Sequence, residues 1–421
     1  MTGRERLRAT LDHRQPDRVC VDFGGTAVTG MAASTVRRLR EAVLGATDFR
    51  VKVIEPYQML GEIDDELRRA LAIDVVGVPG RKTMFGIENT GWKPFQLFDG
   101  TPVLVPGGFN PTTDADGDLL ICPEGDLSVP PSGRMPRGGF YFDVIIRQQP
   151  IMEDRLDPQD NVDCTVLSRE DLAYVAAEAE RVSSDTDCGV VIGIPGAGFG
   201  DIARVPGPGV KHPKGIRDVE EWYVSTVTRR DYVYEVFQRQ CEIALANVDL
   251  LAQAVGDRAQ VAFTSGTDFG TQRGPFMSLA TYRDLYKPFH TRVNDRIHRK
   301  ANWKTFLHTC GGVYEMIPDF VEAGFDILNP VQCSAARMDP KTLKREFGDH
   351  IVFWGGGVDT QKTLPYGTPR EVYREVRERI DIFNDGGGFV FNAIHNVQAR
   401  TPVENLLAMF QAVRDSAGAS G

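Results

Sequence analysis

Residues 305–333, TFLHTCGGVYEMIPDFVEAGFDILNPVQC, contain a complete strand–helix–strand repeat, and this repeat decides the fold. The runs TFL at 305–307 and FDIL at 325–328 are short, apolar and β-rich, as buried strands are. Between them Pro318 opens a helical pattern that continues to Glu322. A helix that joins two neighbouring strands indicates a βα unit in a parallel sheet.

The same rhythm recurs along the chain. Strands are predicted at 18–24, 74–78, 189–194, 259–263, 305–307, 325–328, 351–354 and 388–391. Helices are expected between them, for example after Thr368-Pro369, where an N-cap threonine precedes a proline at the first helical position. Eight such units predict the α/β class and a closed (β/α)8 TIM barrel, with one barrel domain spanning residues 1–421.

Three segments depart from this rhythm. Residues 86–145 are aromatic and punctuated by glycine and proline, which predicts a β-hairpin insertion that caps the barrel after its second strand. Residues 196–215 are rich in glycine and proline and too long for an ordinary βα turn, so a mobile lid is expected there. Residues 416–421 are small and polar and are predicted to be a disordered tail.

Composition excludes several classes of partner. A net charge of −10 over 421 residues disfavours binding to nucleic acid and to anionic membranes. The chain shows no apolar run long enough for a membrane span and no secretory leader, so a cytoplasmic location is expected. Seven cysteines, an odd number, argue against a disulfide framework and for reduced thiols.

Polar residues crowd the predicted strand ends, where the active site of a barrel lies. His308 and Cys310 are two residues apart at the end of the fifth strand, and an imidazole with a thiolate favours zinc. Cys333 and His395, at the ends of the sixth and eighth strands, are both candidates for the third ligand. Alone, His308 and Cys310 would be interpreted as a hydrogen-bonded histidine at the barrel rim and a buried cysteine. The presence of Cys333 and His395 at further strand ends changes the interpretation to a metal site.

Other rim residues are candidates for substrate contacts. Asp268, Gln272, Asp359 and Asn396 follow predicted strands, although Asp and Asn at such positions often cap the next helix instead. Asp22 and Glu55 near the early strands are weaker candidates. The histidines at 290, 298 and 350 are expected at the surface.

The chain resembles the uroporphyrinogen decarboxylase superfamily, and within it the cobalamin-associated methyltransferases. The resemblance is carried by RQPDRVCVDFGGT at 14–26, SGTDFGTQRGPFMS at 265–278, HTCGG at 308–312, GFDILNPVQ at 324–332, DPKTLKREFG at 339–348, FWGGGVDTQ at 353–361, GGGF at 386–389 and TPVENLLAMF at 401–410. It implies that His308 and Cys310 bind zinc with a third residue near the eighth strand. That residue is usually a cysteine shortly before the TP-x-EN helix, whereas this chain has His395 there. Cys333 and His395 therefore both stay open as the third ligand.

The resemblance implies a zinc-dependent methyltransferase that moves a methyl group between a small methylated ether, amine or thioether and a corrinoid. A separate corrinoid protein is the expected partner, since the chain lacks a DxHxxG-type cobalamin motif, and a homodimer is allowed for. One alternative is a methylcorrinoid:thiol methyltransferase. Another is a decarboxylase of the uroporphyrinogen type, which the arginine-free end of the first strand, DFGGT at 22–26, disfavours.

Overall fold

The computed structural model describes residues 1–45 and 47–417 and contains a parallel sheet of eight strands. These strands are β1 (Cys20–Val21), β2 (Val75–Gly77), β3 (Gly189–Gly193), β4 (Val261–Ser265), β5 (Lys304–His308), β6 (Ile327–Asn329), β7 (Val352–Trp354) and β8 (Phe389–Phe391). Each strand pairs with the next in sequence from β2 to β8, and β8 pairs with β1. All eight overlap the predicted strands, which confirms the TIM barrel.

The seam between β1 and β2 is joined by one aspartate. The Asp74 backbone N–H donates to the Val21 carbonyl at 2.8 Å, and its carboxylate accepts the Val21 N–H at 3.0 Å. The same carboxylate forms ion pairs with Arg6 and Arg18. This arrangement closes the barrel where the ladder of the sheet stops.

Successive side chains along each strand point to opposite faces of the sheet, and this divides the core into two parts. Val191, Val261, Phe306 and Ile327 pack inside the barrel, where Leu7 of the first helix joins them from below. The residues between them face an outer layer of helices. The helices of six or more residues are Gly3–Leu11, Ala33–Leu44, Asp65–Ala70, Arg169–Asp185, Val219–Thr228, Arg230–Val255, Lys287–Lys300, Ile317–Glu322, Pro340–Phe347, Pro369–Phe383 and Val403–Ser416.

The insertion between β2 and β3 is rich in antiparallel strands. Lys93–Gln96 and Pro102–Val105 form a hairpin, and Thr112–Thr113, Leu119–Ile121, Gly133–Met135 and Asp143–Val144 form a second sheet. The hairpin also pairs with a strand at Val51–Glu55, which had not been predicted, and this strand pairs in turn with Leu60–Gly61.

The glycine-rich segment 196–215 is fastened to its surroundings by two arginines. Arg147 donates to the carbonyls of Gly207 and Val210, and the buried Arg217 donates to those of Lys214 and Val205. Movement of this segment as a lid, which stays a prediction, would require these bonds to break.

Two expectations need correction. His290 is buried rather than exposed, because it lies on the inner face of helix Lys287–Lys300 among the rings of Phe199, Phe269 and Phe325. The predicted tail 416–421 begins too early, since Ser416 ends the last helix and its hydroxyl donates to the Val413 carbonyl. Residues 418–421 of that tail lie outside the described residues.

All seven cysteines are free. Within the described residues, no helix combines the length and the apolar character needed to cross a bilayer.

Candidate metal centre

Three side chains from two barrel strands converge at the carboxyl end of the barrel. His308 is the last residue of β5, Cys310 follows two residues later, and His395 lies in the loop after β8. Their donor atoms all lie within 4.8 Å of one another. His308 points inward because it continues the alternation of Phe306, which packs inside the barrel two residues earlier.

Asn329 at the end of β6 fixes the orientation of His308. The Asn329 side-chain N–H donates to the Trp354 carbonyl at 2.9 Å, so its oxygen faces the His308 Nδ1 at 2.7 Å. Nδ1 must therefore carry the proton, which leaves the lone pair on Nε2. A bond from the second ring nitrogen is the usual support of a metal-binding histidine.

The spacing of the donors fits zinc. The His308 Nε2 and the Cys310 Sγ are 3.6 Å apart. Two such atoms bound to one tetrahedral zinc, at about 2.05 Å for nitrogen and about 2.3 Å for sulfur, are themselves about 3.6 Å apart. Imidazole nitrogen and thiolate sulfur are both zinc ligands, and three protein ligands leave one position open, as in catalytic sites.

The loop that carries Cys310 is held from both sides. The Cys310 N–H donates to the Asp268 carboxylate at 2.7 Å, and the Gly311 N–H donates to the Gln332 side chain at 2.8 Å. Gly311 has a φ of +91°, and a Cβ there would lie 2.3 Å from the Gly270 carbonyl carbon. Only glycine permits this approach, which explains the first glycine of HTCGG.

His395 is placed by the residue that follows it. Both polar atoms of the Asn396 amide are engaged: the oxygen accepts the Gly30 N–H, and the nitrogen donates to the Ala27 carbonyl and to the Gln58 side chain. The loop after β8 is thereby tied to the loop after β1. The His395 ring lies 5.6 Å from the His308 ring between centroids.

Without a metal, the His395 imidazole and the Cys310 thiol are both electrically neutral. Burial, reinforced by the neighbouring His308, lowers the pKa of His395 to about 3. Burial, reinforced by the Asp268 carboxylate, raises the pKa of the Cys310 thiol well above its usual value. A bound cation would reverse the second effect, because it stabilises the thiolate.

Cys333 does not join the group. Its Sγ donates to the Val331 carbonyl at 3.4 Å and lies 3.5 Å from where a Cβ of Gly356 would be, so the thiol packs between the loops after β6 and β7. Burial raises the pKa of this thiol to about 12. Of the two candidates for the third ligand, the structure brings His395 to the pair and leaves Cys333 apart.

The predicted substrate residues have different surroundings. Asp268 borders the donors. The Asp359 carboxylate accepts the N–H groups of Gln361 and Lys362 and so caps the turn before helix Thr363–Tyr366. Gln272 is exposed and donates to the side chain of Gln361. The amide of Asn396 is fully occupied by the loops that it joins.

Two residues near the site, Asn329 and Asp201, were not predicted from the sequence. Asn329 could have been found, since it ends the strand that follows the His-x-Cys strand. Asp201, in the glycine-rich segment, has a carboxylate next to Gly266 and an ion pair with Arg204 at 3.6 Å, and burial raises its pKa. No periodic pattern in that segment signals its position.

Comparisons with known proteins agree with this architecture. Residues 212–416 match the family model described as Uroporphyrinogen decarboxylase (URO-D). A stretch of 140 residues, 33% of the chain, is 27% identical to the methylated-thiol–coenzyme M methyltransferase of Methanosarcina mazei, of which it spans 34%, about a third. A solved structure of a methyltransferase from Methanosarcina mazei superposes with a TM-score of 0.53 over 99% of both chains, at 16% identity.

Proposed function

This chain belongs to the uroporphyrinogen decarboxylase superfamily, and we propose that it is a zinc-dependent methyltransferase. In this proposal it moves a methyl group between a small methylated substrate and the cobalt of a corrinoid held by a separate protein. The observation that supports it most strongly is the convergence of the His308, Cys310 and His395 donor atoms at the barrel mouth. The seven free cysteines fit a reducing compartment, so a cytoplasmic location is part of the proposal.

Each residue of the centre has a defined task. His308, Cys310 and His395 would hold the zinc, and Asn329 keeps the His308 lone pair directed at it. Bound zinc supplies Lewis acidity, which withdraws charge from the ether, amine or thioether atom that carries the methyl group. The barrel floor below the donors, built from residues such as Phe306 and Trp354, excludes water from beneath the reacting atoms.

Charge at the mouth opposes the decarboxylase alternative. The Asp268 carboxylate lies beside the donor cluster, with its Oδ1 3.9 Å from the His308 Nε2, and no lysine or arginine among the described residues forms an ion pair with it. This carboxylate would repel a substrate that carries several carboxylates of its own. We therefore expect no carbon dioxide release from uroporphyrinogen.

A demethylation assay tests the proposal. The purified zinc-loaded chain is mixed with cob(I)alamin, as a substitute for the corrinoid protein, and with an aryl methyl ether, a methylamine or a dialkyl sulfide. Conversion of the cob(I)alamin absorption spectrum to that of methylcobalamin is expected with one of these classes, and a Cys310→Ser chain should lose it. Carbon dioxide release from uroporphyrinogen without any methyl transfer would contradict the proposal.

The reverse direction is a second candidate, favoured by one comparison. The Methanosarcina mazei relative is named for a methylated thiol and coenzyme M, and its matched segment is 27% identical to this chain. In this direction the centre would hold a thiol substrate as thiolate, ready to accept a methyl group. Demethylation of methylcobalamin by added coenzyme M, faster than any reaction of the ethers, amines or sulfides, would select this candidate.

A further inference from the structure

Gly193, the last residue of β3, faces the inside of the barrel. It lies two residues after Val191, which packs in the inner core, and it pairs in register with Phe263 of β4, which also packs there. Val191 is buried, whereas Gly193 is exposed. The barrel interior is therefore open to solvent on this side of the mouth.

The glycine at this position is required by neither the backbone nor the packing. Its φ lies outside the left-handed region, and a Cβ added to it would meet no atom within 4 Å. Every other glycine in residues 1–45 and 47–417 either has a positive φ or would bring a Cβ within 4 Å of a neighbour. At Gly77, the inward residue that ends β2, the Cβ would lie 2.4 Å from the Gly25 carbonyl oxygen. The missing side chain of Gly193 therefore leaves an open space.

The floor of this space is apolar and includes an aromatic ring. Val28 and Phe263 pack on the inner core and are only partly buried, whereas the core residues beneath them are buried. The Phe263 ring lies 5.3 Å from the Phe306 ring between centroids, and the two residues are register partners. His308 follows Phe306 by two residues on β5, a rise of about 6.6 Å, so the donor cluster lies one layer of side chains above this floor.

We propose that this space is a seat for an aromatic ring, so that Gly193 and Phe263 select a substrate whose methylated atom is attached to such a ring. The inference rests on the proposed function and narrows its substrate class. A flat ring placed over Phe263 gains stacking attraction in addition to the apolar area that it buries. The edge of a ring in the seat lies at the level of the His308 imidazole, where the methylated atom has to be held.

Small methylated compounds without a ring do not fill the seat. A methylamine or dimethyl sulfide would cover little of Val28 and Phe263, and both side chains would stay exposed to water. The free energy gained on binding grows with the apolar area removed from water, so a ring held against both side chains binds more tightly. A larger side chain at position 193 would occupy the volume that the ring needs.

Ligand-observed NMR titrations of the zinc-loaded chain, without any corrinoid, test the seat directly. The probes are anisole and methoxycyclohexane, which contain the same number of carbon and oxygen atoms and differ in the flat ring. We expect the wild type to bind anisole about 2- to 10-fold more tightly, the range that an aromatic pair contributes. Equal binding of the two probes, or no binding of anisole, would overturn the proposal.

Two substitutions remove the two parts of the seat. Gly193→Leu fills the space and should weaken anisole binding by about 10-fold or more, the lower limit for a misfit in an apolar pocket, with unchanged zinc content. Phe263→Leu keeps an apolar floor without the ring and should make the two probes bind equally, so it carries the test if the Gly193→Leu chain does not fold. A folded Gly193→Leu chain that binds anisole like the wild type contradicts the proposal, as does a Phe263→Leu chain that still prefers anisole.

The matched control is Ser184→Leu. It places the same side chain at an exposed position of helix Arg169–Asp185, which precedes β3, and it should leave both zinc content and anisole binding unchanged. A loss of anisole binding in this chain equal to that of Gly193→Leu would show that the effect is not specific to the seat.

These titrations and the demethylation assay separate the two levels of inference. Methyl transfer from a methylamine or a dialkyl sulfide to cob(I)alamin, without any binding of anisole, removes the aromatic seat and keeps the methyltransferase. Binding of anisole that Gly193→Leu abolishes, without methyl transfer from any substrate, removes the methyltransferase and keeps the seat.

Discussion

Asn329 contacts no substrate in this account, yet the metal centre depends on it. Its side-chain N–H donates to the Trp354 carbonyl of β7, so the amide oxygen faces His308. The neighbouring strands β6 and β7 thereby fix which nitrogen of the His308 imidazole carries the proton. His308 is 4% exposed, so water cannot replace this bond readily.

Replacing this amide should weaken metal binding without unfolding the barrel. Asn329→Leu removes the acceptor for Nδ1–H, and we expect zinc affinity to fall by about 10- to 100-fold in a chelator competition. Asn329→Asp keeps an acceptor oxygen and should retain most of the affinity. Equal zinc affinity of the Leu variant and the wild type would show that the bond to Asn329 is not needed.

At the scale of residues, the sequence could predict the pair His308 and Cys310 but not the choice between Cys333 and His395. Cys333 follows β6, which pairs with β5, whereas His395 follows β8, three strands from β5 in the sheet, so strand order does not single out His395. The choice depends on a tight turn in which the Cys333 N–H bonds to the Val331 carbonyl and turns the thiol toward Gly356. The burial of His290 escaped prediction for a related reason, since polarity does not reveal which face of a helix packs inward.

The barrel seam is the element on which closure of the fold depends. β1 and β2 do not share a ladder, and Asp74 joins them through its backbone and its carboxylate. The Asp74 side chain is 3% exposed and that of Arg6 is 6% exposed. Removing one partner of a buried ion pair lowers the free energy of unfolding strongly, because the other charge stays buried without compensation.

Asp74→Ala should therefore destabilise the protein strongly. It leaves the buried Arg6 without this partner, and we expect the free energy of unfolding to fall by about 3–5 kcal/mol in urea titrations. The control is Asp249→Ala, which removes a more exposed pair with Arg296 and should cost about 1 kcal/mol or less. If Asp74→Ala costs no more than this control, the seam does not depend on the pair.

Element prediction succeeded where the signal is local. Each barrel strand is a short apolar run next to a turn, so all eight were found, with ends that differ by up to three residues and with β4, β5 and β6 extending beyond the predicted bounds. The strand Val51–Glu55 was missed because its longer partner is distant in sequence: it pairs with Pro102–Val105 in the insertion. Such pairing leaves no mark within the segment itself.

The folded molecule as a whole should respond to acid through its buried histidines. His290 is 2% exposed, and burial lowers its pKa to about 3 from an ordinary 6.5. Its folded-state pKa lies below the unfolded one, so the unfolded chain binds the proton first. Its contribution to stability is therefore present above pH 6.5 and is lost as the pH falls towards 3.

His290→Phe should reduce this acid sensitivity. Relative to the variant, the wild type is expected to lose about 2 kcal/mol of unfolding free energy between pH 7 and pH 5. Urea titrations of both chains at several pH values measure the difference. Parallel stability curves for the two chains would contradict the proposed protonation of His290.

The central claim concerns the whole barrel mouth, where two strands bring three donors to one point, and metal analysis tests it most directly. The purified wild type and the variants Cys310→Ser, His395→Ala and Cys333→Ser are dialysed against zinc and analysed for bound metal. The account predicts one zinc per wild-type and per Cys333→Ser chain, and a marked loss of zinc in the other two variants. A wild type without stoichiometric zinc, or a Cys333→Ser chain that alone loses it, would contradict the account.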